Sequence, residues 1–149
     1  YLAIISPPPS KNDKYITSNI EKNSFSNVRK MTTSDIKGKF AKTYIKILAK
    51  NSKYALALLY PITGRTHQLR VHMNYIGCSI IGDKKYKLNE NFRDNENFLK
   101  LHSYVIKFPN QDFIKAPLPE HFINFIKENK LDFDLEKIEK DLERKFKYE

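Results

Sequence analysis

Pro61-Ile-Thr-Gly-Arg-Thr-His-Gln-Leu-Arg-Val-His-Met-Asn-Tyr-Ile-Gly-Cys-Ser-Ile-Ile-Gly-Asp83 is the run on which the architecture turns. It opens at the end of an apolar stretch and breaks at Thr63-Gly64. Leu69, Met73 and Ile76 then stand at helical spacing, which predicts a helix over Thr66 to Ile76 closed by Gly77. Ser79 to Asp83 reads as a short buried strand and a turn. Arg65, Thr66, His67 and Gln68 gather at the helix start, where unpaired backbone N–H groups and the helix dipole favour an anion. Arg70 lies within reach of the same spot. These residues suit a pocket for phosphate or carboxylate. They also suit a capped helix with solvated charges.

Upstream of this run, Tyr54 to Pro61 is strongly apolar and reads as a central strand, paired with 41–49 across the turn Asn51-Ser-Lys53. Residues 10–40 are polar and predict a long arm with short irregular strands. Tyr1 to Ile5 is a strand, stopped by Pro7-Pro8-Pro9 because proline cannot donate to a ladder. Downstream, 84–98 is a polar loop and Leu101 to Phe108 a strand stopped by Pro109, with Phe113 to Ala116 as a hairpin partner. Pro119 opens an amphipathic helix carrying Phe122, Phe125 and Ile126. A last helix, capped by Asp134, aligns Leu135, Ile138, Leu142 and Phe146. The class is α+β: a mixed, mostly antiparallel sheet with flanking helices. Residues 1–131 form the main body and 132–149 a C-terminal helical extension.

Composition removes several function classes. The longest apolar run, Tyr54 to Tyr60, is far short of the roughly 20 residues a spanning helix needs. Cys78 is the only cysteine, so internal disulfides and cysteine-ligated zinc folds are excluded, and a reducing compartment follows. His67 and His72 are five apart without a third ligand at metal spacing, so no metal is expected. Cys78 reads as a small core residue. No G-x-G-x-x-G, P-loop or G-x-S-x-G occurs, and no nucleotide cofactor is indicated. The net charge is +10; residues 132–149 hold seven acids and five bases, so residues 1–131 carry +12. A basic body suits a polyanion such as nucleic acid, while the excess of Lys, Asn and Ile equally suits codon bias. The chain opens on Tyr1 within a strand and shows no signal peptide or lipidation motif. We expect it to be the C-terminal part of a longer protein.

The run 61–83 resembles the third motif of the RluA-type pseudouridine synthases, P-x-T-G-R-T-H-Q-[IL]-R-V-H followed by G-x-P-I-x-G-D. Other pieces agree in order. Tyr1-Leu-Ala-Ile-Ile resembles the family's tyrosine strand, Gly38-Lys-Phe-Ala-Lys-Thr43 its G-K-x-A-x-T entry, Leu101-His-Ser103 its L-H-[AS] motif and Ala116-Pro-Leu-Pro119 its A-P-x-P turn. The resemblance spans about residues 1 to 131. Arg29-Lys-Met31 and Leu118-Pro-Glu-His121 are closest to the RluC-like branch, which acts on large-subunit ribosomal RNA. Ser79 stands where the family has proline, Lys87 where it has glycine after Tyr86, and Ser6-Pro7 replaces a glycine.

The resemblance implies an isomerase that converts uridine in RNA to pseudouridine without cofactor or metal. The RNA is ribosomal first and transfer RNA second. The resemblance further leads us to expect a monomer in the bacterial cytosol or an organelle of bacterial ancestry. The family's nucleophilic aspartate lies in an H-R-L-D motif that does not occur in these 149 residues. Neither Asp83 nor Asp94 is promoted to that role. Tyr1 matches the tyrosine that stacks on the target base and takes the C5 proton. Arg70 matches the arginine that pairs with the aspartate. Gln68 edges the pocket; Arg65, Thr66 and His67 organise the turn and contact phosphates or neighbouring loops; Leu101 forms pocket wall, and His102 is structural. The fragment alone is expected to be inactive. The alternative is a non-catalytic RNA-binding fragment or relic of such an enzyme.

Overall fold

Strand β1 (Leu2–Ser6) is buried along its whole length. In the computed structural model, which describes residues 1–23, 30–88 and 94–146, β1 is the spine of the molecule. Its alternation splits the core in two. Leu2 and Ile4 pack on one face with Leu56, Leu58, Phe122 and Phe125. Ala3 and Ile5 pack on the other with Ala57, Leu59, Leu69 and Met73.

The sheet continues with β2 (Asp13–Lys22), β3 (Met31–Ser34), β4 (Lys39–Lys50) and β5 (Ala55–Pro61). Helix α1 (Gln68–Tyr75) and strand β6 (Ser79–Ile80) follow, then β7 (Leu101–His102), β8 (Val105–Ile106), β9 (Ile114–Lys115), α2 (Glu120–Glu128) and α3 (Leu135–Phe146). The strand order is β3-β2-β4-β5-β1-β6, with β7 also on β1, and β8-β9 form a separate hairpin. The pairings among the described residues are antiparallel. The predicted β4–β5 pairing is present, from Thr43↔Pro61 to Lys50↔Ala55, with an irregularity between Ile47 and Ala49. The architecture is the α+β class expected.

Two expectations need correction. Among the described residues of 10–40, the strands are not all short and irregular. β2 is a regular ten-residue strand paired with β4 from Asp13↔Lys46 to Ile20↔Lys39. Its inward face reads Ile16, Ser18, Ile20, so a serine interrupts the apolar alternation. That serine is satisfied: Ser18 Oγ lies 3.0 Å from His72 Nε2. The predicted strand 101–108 divides at Ser103-Tyr104. β7 joins β1 and β8 joins β9, because Tyr104 turns inward, 3% exposed, with its hydroxyl donated to Glu139 at 2.5 Å.

The helices close both faces. α1 ends where Gly77, at φ +84°, turns the chain; Cys78 N–H donates to Met73 O at 2.9 Å. α2 starts after Pro119 and buries Phe122, Phe125 and Ile126. α3 starts after Asp134, whose carboxylate accepts from Lys137 N–H, and sends Ile138 and Leu142 into the same cluster as Phe122. Through Ile138 and Leu142, α3 therefore shares the main core. Arg29 and the Phe146 side chain lie outside the described residues.

Candidate active site

The turn after β5 is built around Gln68. Its side chain is 3% exposed. Oε1 accepts from Thr63 Oγ1 (2.7 Å) and Arg65 N–H (3.0 Å), while Nε2 donates to Lys42 O and Thr43 Oγ1 (2.9 Å each). With four partners, this amide is a strut between the turn and β4. His72, one turn on and fully buried, continues the strut, with Nδ1 2.8 Å from Thr43 Oγ1 and Nε2 toward Ser18. α1 is thereby fastened to β2 and β4 by polar contacts as well as by Leu69 and Met73.

That fastening sets the position of Arg70. Its Nε and Nη2 donate to Asp83 Oδ2 and Oδ1, both at 2.8 Å. Its guanidinium carbon stands 4.9 Å from the Tyr86 ring centroid. Asp83 also accepts from Lys85 N–H and Tyr86 N–H at 2.9 Å. Burial works to raise the Asp83 carboxyl. The bonds from Arg70, Tyr86 and Lys85 outweigh it and hold the group below the usual carboxylate range. His67, in the left-handed region at φ 53°, places Nδ1 2.8 Å from the Tyr86 hydroxyl. Burial, and then the nearby Arg70 and Lys85 charges, lower its pKa.

The other expected site residues fall in different places. Arg65 donates Nε to Phe40 O at 2.8 Å, and Thr66 is exposed beside it. Leu101 packs against the α1-side core. Tyr1 stands at the head of β1: its backbone nitrogen donates to Leu59 O (2.9 Å) and its carbonyl accepts from Leu59 N–H (2.8 Å). Tyr1, Tyr60, Pro61, Phe108, Phe113 and Leu142 bound a largely apolar cavity of about 620 Å³. Arg70 is not part of its lining. Tyr1 immediately precedes β1, opposite Leu59 of β5. Tyr1 and Arg70 both belong to the same end of the sheet, where β1 begins and β5 hands over to α1. Among the described residues, no three His, Cys, Asp or Glu side chains stand together as metal ligands.

Asp83, Tyr86 and Thr43 are the residues sequence reasoning passed over. A signal for two of them existed: a Gly-Asp turn whose carboxylate can take the next N–H groups, with an aromatic residue three positions on.

Burial depresses His72 to a pKa of about 4. The folded state therefore favours the neutral ring. Its stability is fully present above the unfolded value near 6.5 and is lost as pH falls from there toward 4. The loss is about 3 kcal/mol by linkage. Thermal midpoints between pH 7.5 and 4.5 should fall accordingly, and His72→Asn should flatten that fall. An equal fall in the variant would remove His72 as its source.

Residues 1–75 match the family model described as RNA pseudouridylate synthase. The ribosomal large subunit pseudouridine synthase C of Buchnera aphidicola is 37% identical over 136 residues, covering 85% of this chain and 43% of that protein. The protein of that name from Rickettsia bellii is 35% identical over 128 residues, covering 82% and 42%. The chain spans less than half the length of these relatives. Human RNA pseudouridylate synthase domain containing 1 has the same fold, with a TM-score of 0.77 at 24% identity over 95% of this chain and 63% of that one. With the family model over half the chain, and with relatives above 30% identity across more than two thirds of it, the chain belongs to the RNA pseudouridylate synthase family, among its RluA- and RluC-like members.

Proposed function

We propose that the intact protein isomerises uridine to pseudouridine in large-subunit ribosomal RNA, and that this chain supplies the Tyr1 and Arg70 side of the active site. The observation that carries this is the oriented guanidinium of Arg70, held on α1 at the end of the sheet where Tyr1 begins β1. The names of the two bacterial relatives support the ribosomal substrate. An aspartate in the region beyond this chain acts as nucleophile. Arg70 keeps it ionised and oriented through the donors Asp83 leaves free. The aspartate carboxylate bonds to C1′ as the C1′–N1 bond breaks, the uracil turns, and C5 bonds to C1′ as the carboxylate leaves. Tyr1 stacks on the base and takes the C5 proton, while N1 gains one. Arg65 and Thr66, with exposed Lys84 and Lys87, contact phosphates.

The test is incubation of the intact protein with unmodified ribosomal RNA and mapping of pseudouridine by chemical adduct. Site-specific modification is expected from the intact protein and none from residues 1–149 alone. Multiple turnover by the isolated chain would overturn the assignment of the nucleophile to another region.

RNA affinity should fall with salt, with a slope of about −0.7 per phosphate contact on single strands. Removing Lys84 and Lys87 should flatten the slope. Neutralising the exposed Glu136 and Glu143 of α3 should not change it. A flat salt dependence in the intact protein would assign the +12 of residues 1–131 to codon bias.

A further inference from the structure

Asp83 is a buried carboxylate that accepts four hydrogen bonds. Oδ1 takes Arg70 Nη2, Lys85 N–H and Tyr86 N–H; Oδ2 takes Arg70 Nε. At 3% exposure it has no access to act on a substrate. Its one mobile partner is Arg70. The guanidinium is fixed in its own plane by these two bonds and out of plane by the Tyr86 ring. A guanidinium has five N–H donors, and two are spent on Asp83. The rest have no partner among the described residues, and the side chain is 20% exposed. Tyr86 is itself anchored. Its oxygen accepts from Met31 N–H at 2.9 Å and meets His67 Nδ1 at 2.8 Å, so one side chain joins β3, the entry to α1 and the arginine.

We propose that Asp83 and Tyr86 are positioning residues that hold the Arg70 guanidinium with its free edge presented to a second carboxylate, and that turnover depends on them through Arg70. This rests on the pseudouridine synthase reading of the intact protein. A long, flexible arginine would otherwise sample many rotamers, each lost on meeting its partner. Held from two directions, it meets the nucleophile already oriented. The ring contributes its face and the hydroxyl contributes the anchor, so the two parts of Tyr86 separate experimentally.

The experiment uses the intact protein on an unmodified ribosomal RNA fragment. It measures kcat and KM for Asp83→Asn, Tyr86→Leu and Tyr86→Phe, alone and combined with Arg70→Ala under single-turnover conditions. Asp83→Asn and Tyr86→Leu should each lower kcat by about tenfold or more and move KM by less than about twofold. Tyr86→Phe, which keeps the ring, should recover most of what Tyr86→Leu loses. In the Arg70→Ala background, neither Asp83→Asn nor Tyr86→Leu should lower the residual rate further, because the residue through which they act is gone. Equal losses in both backgrounds would overturn the proposal, since the variants would then act on the fold. So would unchanged kcat in an active protein. A wild-type protein that modifies no RNA would instead remove the activity reading, and the proposal with it.

Discussion

Arg70→Ala is expected to cripple turnover of the intact protein while leaving its affinity for RNA close to normal. The side chain is turned to a carboxylate and an aromatic ring inside the protein, not to the exposed turn that Arg65 and Thr66 occupy. Truncation leaves Asp83, 3% exposed, with its charge uncompensated. Breaking a buried pair in this way costs about 3–5 kcal/mol. Part of the loss will appear as a lower thermal midpoint, and part as a nucleophile with no cation to keep it ionised. The sign with pH follows from Asp83. Its carboxyl is depressed in the folded state, so the pair stabilises above the usual carboxylate range and the contribution is lost as pH falls below it. Near neutral pH the wild type should exceed the variant in stability, and the gap should close in acid. Rates by adduct mapping, affinity by filter binding and melting at pH 7 and pH 3 check each part. Normal turnover with weakened affinity would make Arg70 a phosphate contact.

Gly82→Ala should be among the most damaging single-methyl changes in the chain. Gly82 sits at φ +78°, where an L side chain costs about 1–2 kcal/mol. A Cβ there would stand 2.2 Å from Phe98 O, 2.6 Å from Phe98 C and 3.0 Å from Leu99 N. All three are backbone atoms and cannot swing aside. Relief requires moving the chain that leads into β7, at a further cost of about 1–3 kcal/mol. Gly82 N–H also donates to Asp94 Oδ2 at 2.7 Å, so the turn is tied from both sides. Asp83 is the next residue, so any shift reaches the Arg70 pair directly. Gly64→Ala is the matched control: nothing lies within 4 Å of its added Cβ. Denaturant midpoints should fall sharply for Gly82→Ala and hardly move for Gly64→Ala. Equal midpoints would mean that the 98–99 backbone yields freely.

The hairpin of β4 with β5, the helix ended by Gly77, and the two C-terminal helices are visible in the chain because each rests on local information. Period-2 or period-3.6 apolar spacing, a glycine and a proline suffice. β2 is hidden for the opposite reason. Its inward Ser18 looks like a break until His72, 54 residues away, is known to face it. The division at Ser103-Tyr104 is likewise invisible, because Glu139 on α3 receives the Tyr104 hydroxyl.

The site divides along the same line. Residues 61–83 by themselves determined the strand, turn and helix that carry Arg65, Thr66, His67, Gln68 and Arg70, because the fold of that segment is written in its own spacing. The partner of each side chain was decided only by tertiary structure. Gln68 and His72 stand on the same helix as Arg70, and all three are polar. Burial against Thr43 turns the first two into struts, while Asp83 and Tyr86, brought back by the Gly82 turn, leave Arg70 as the held cation. A polar residue's role depends on which donors, acceptors and charges surround it once water is removed, and those neighbours come from distant parts of the chain.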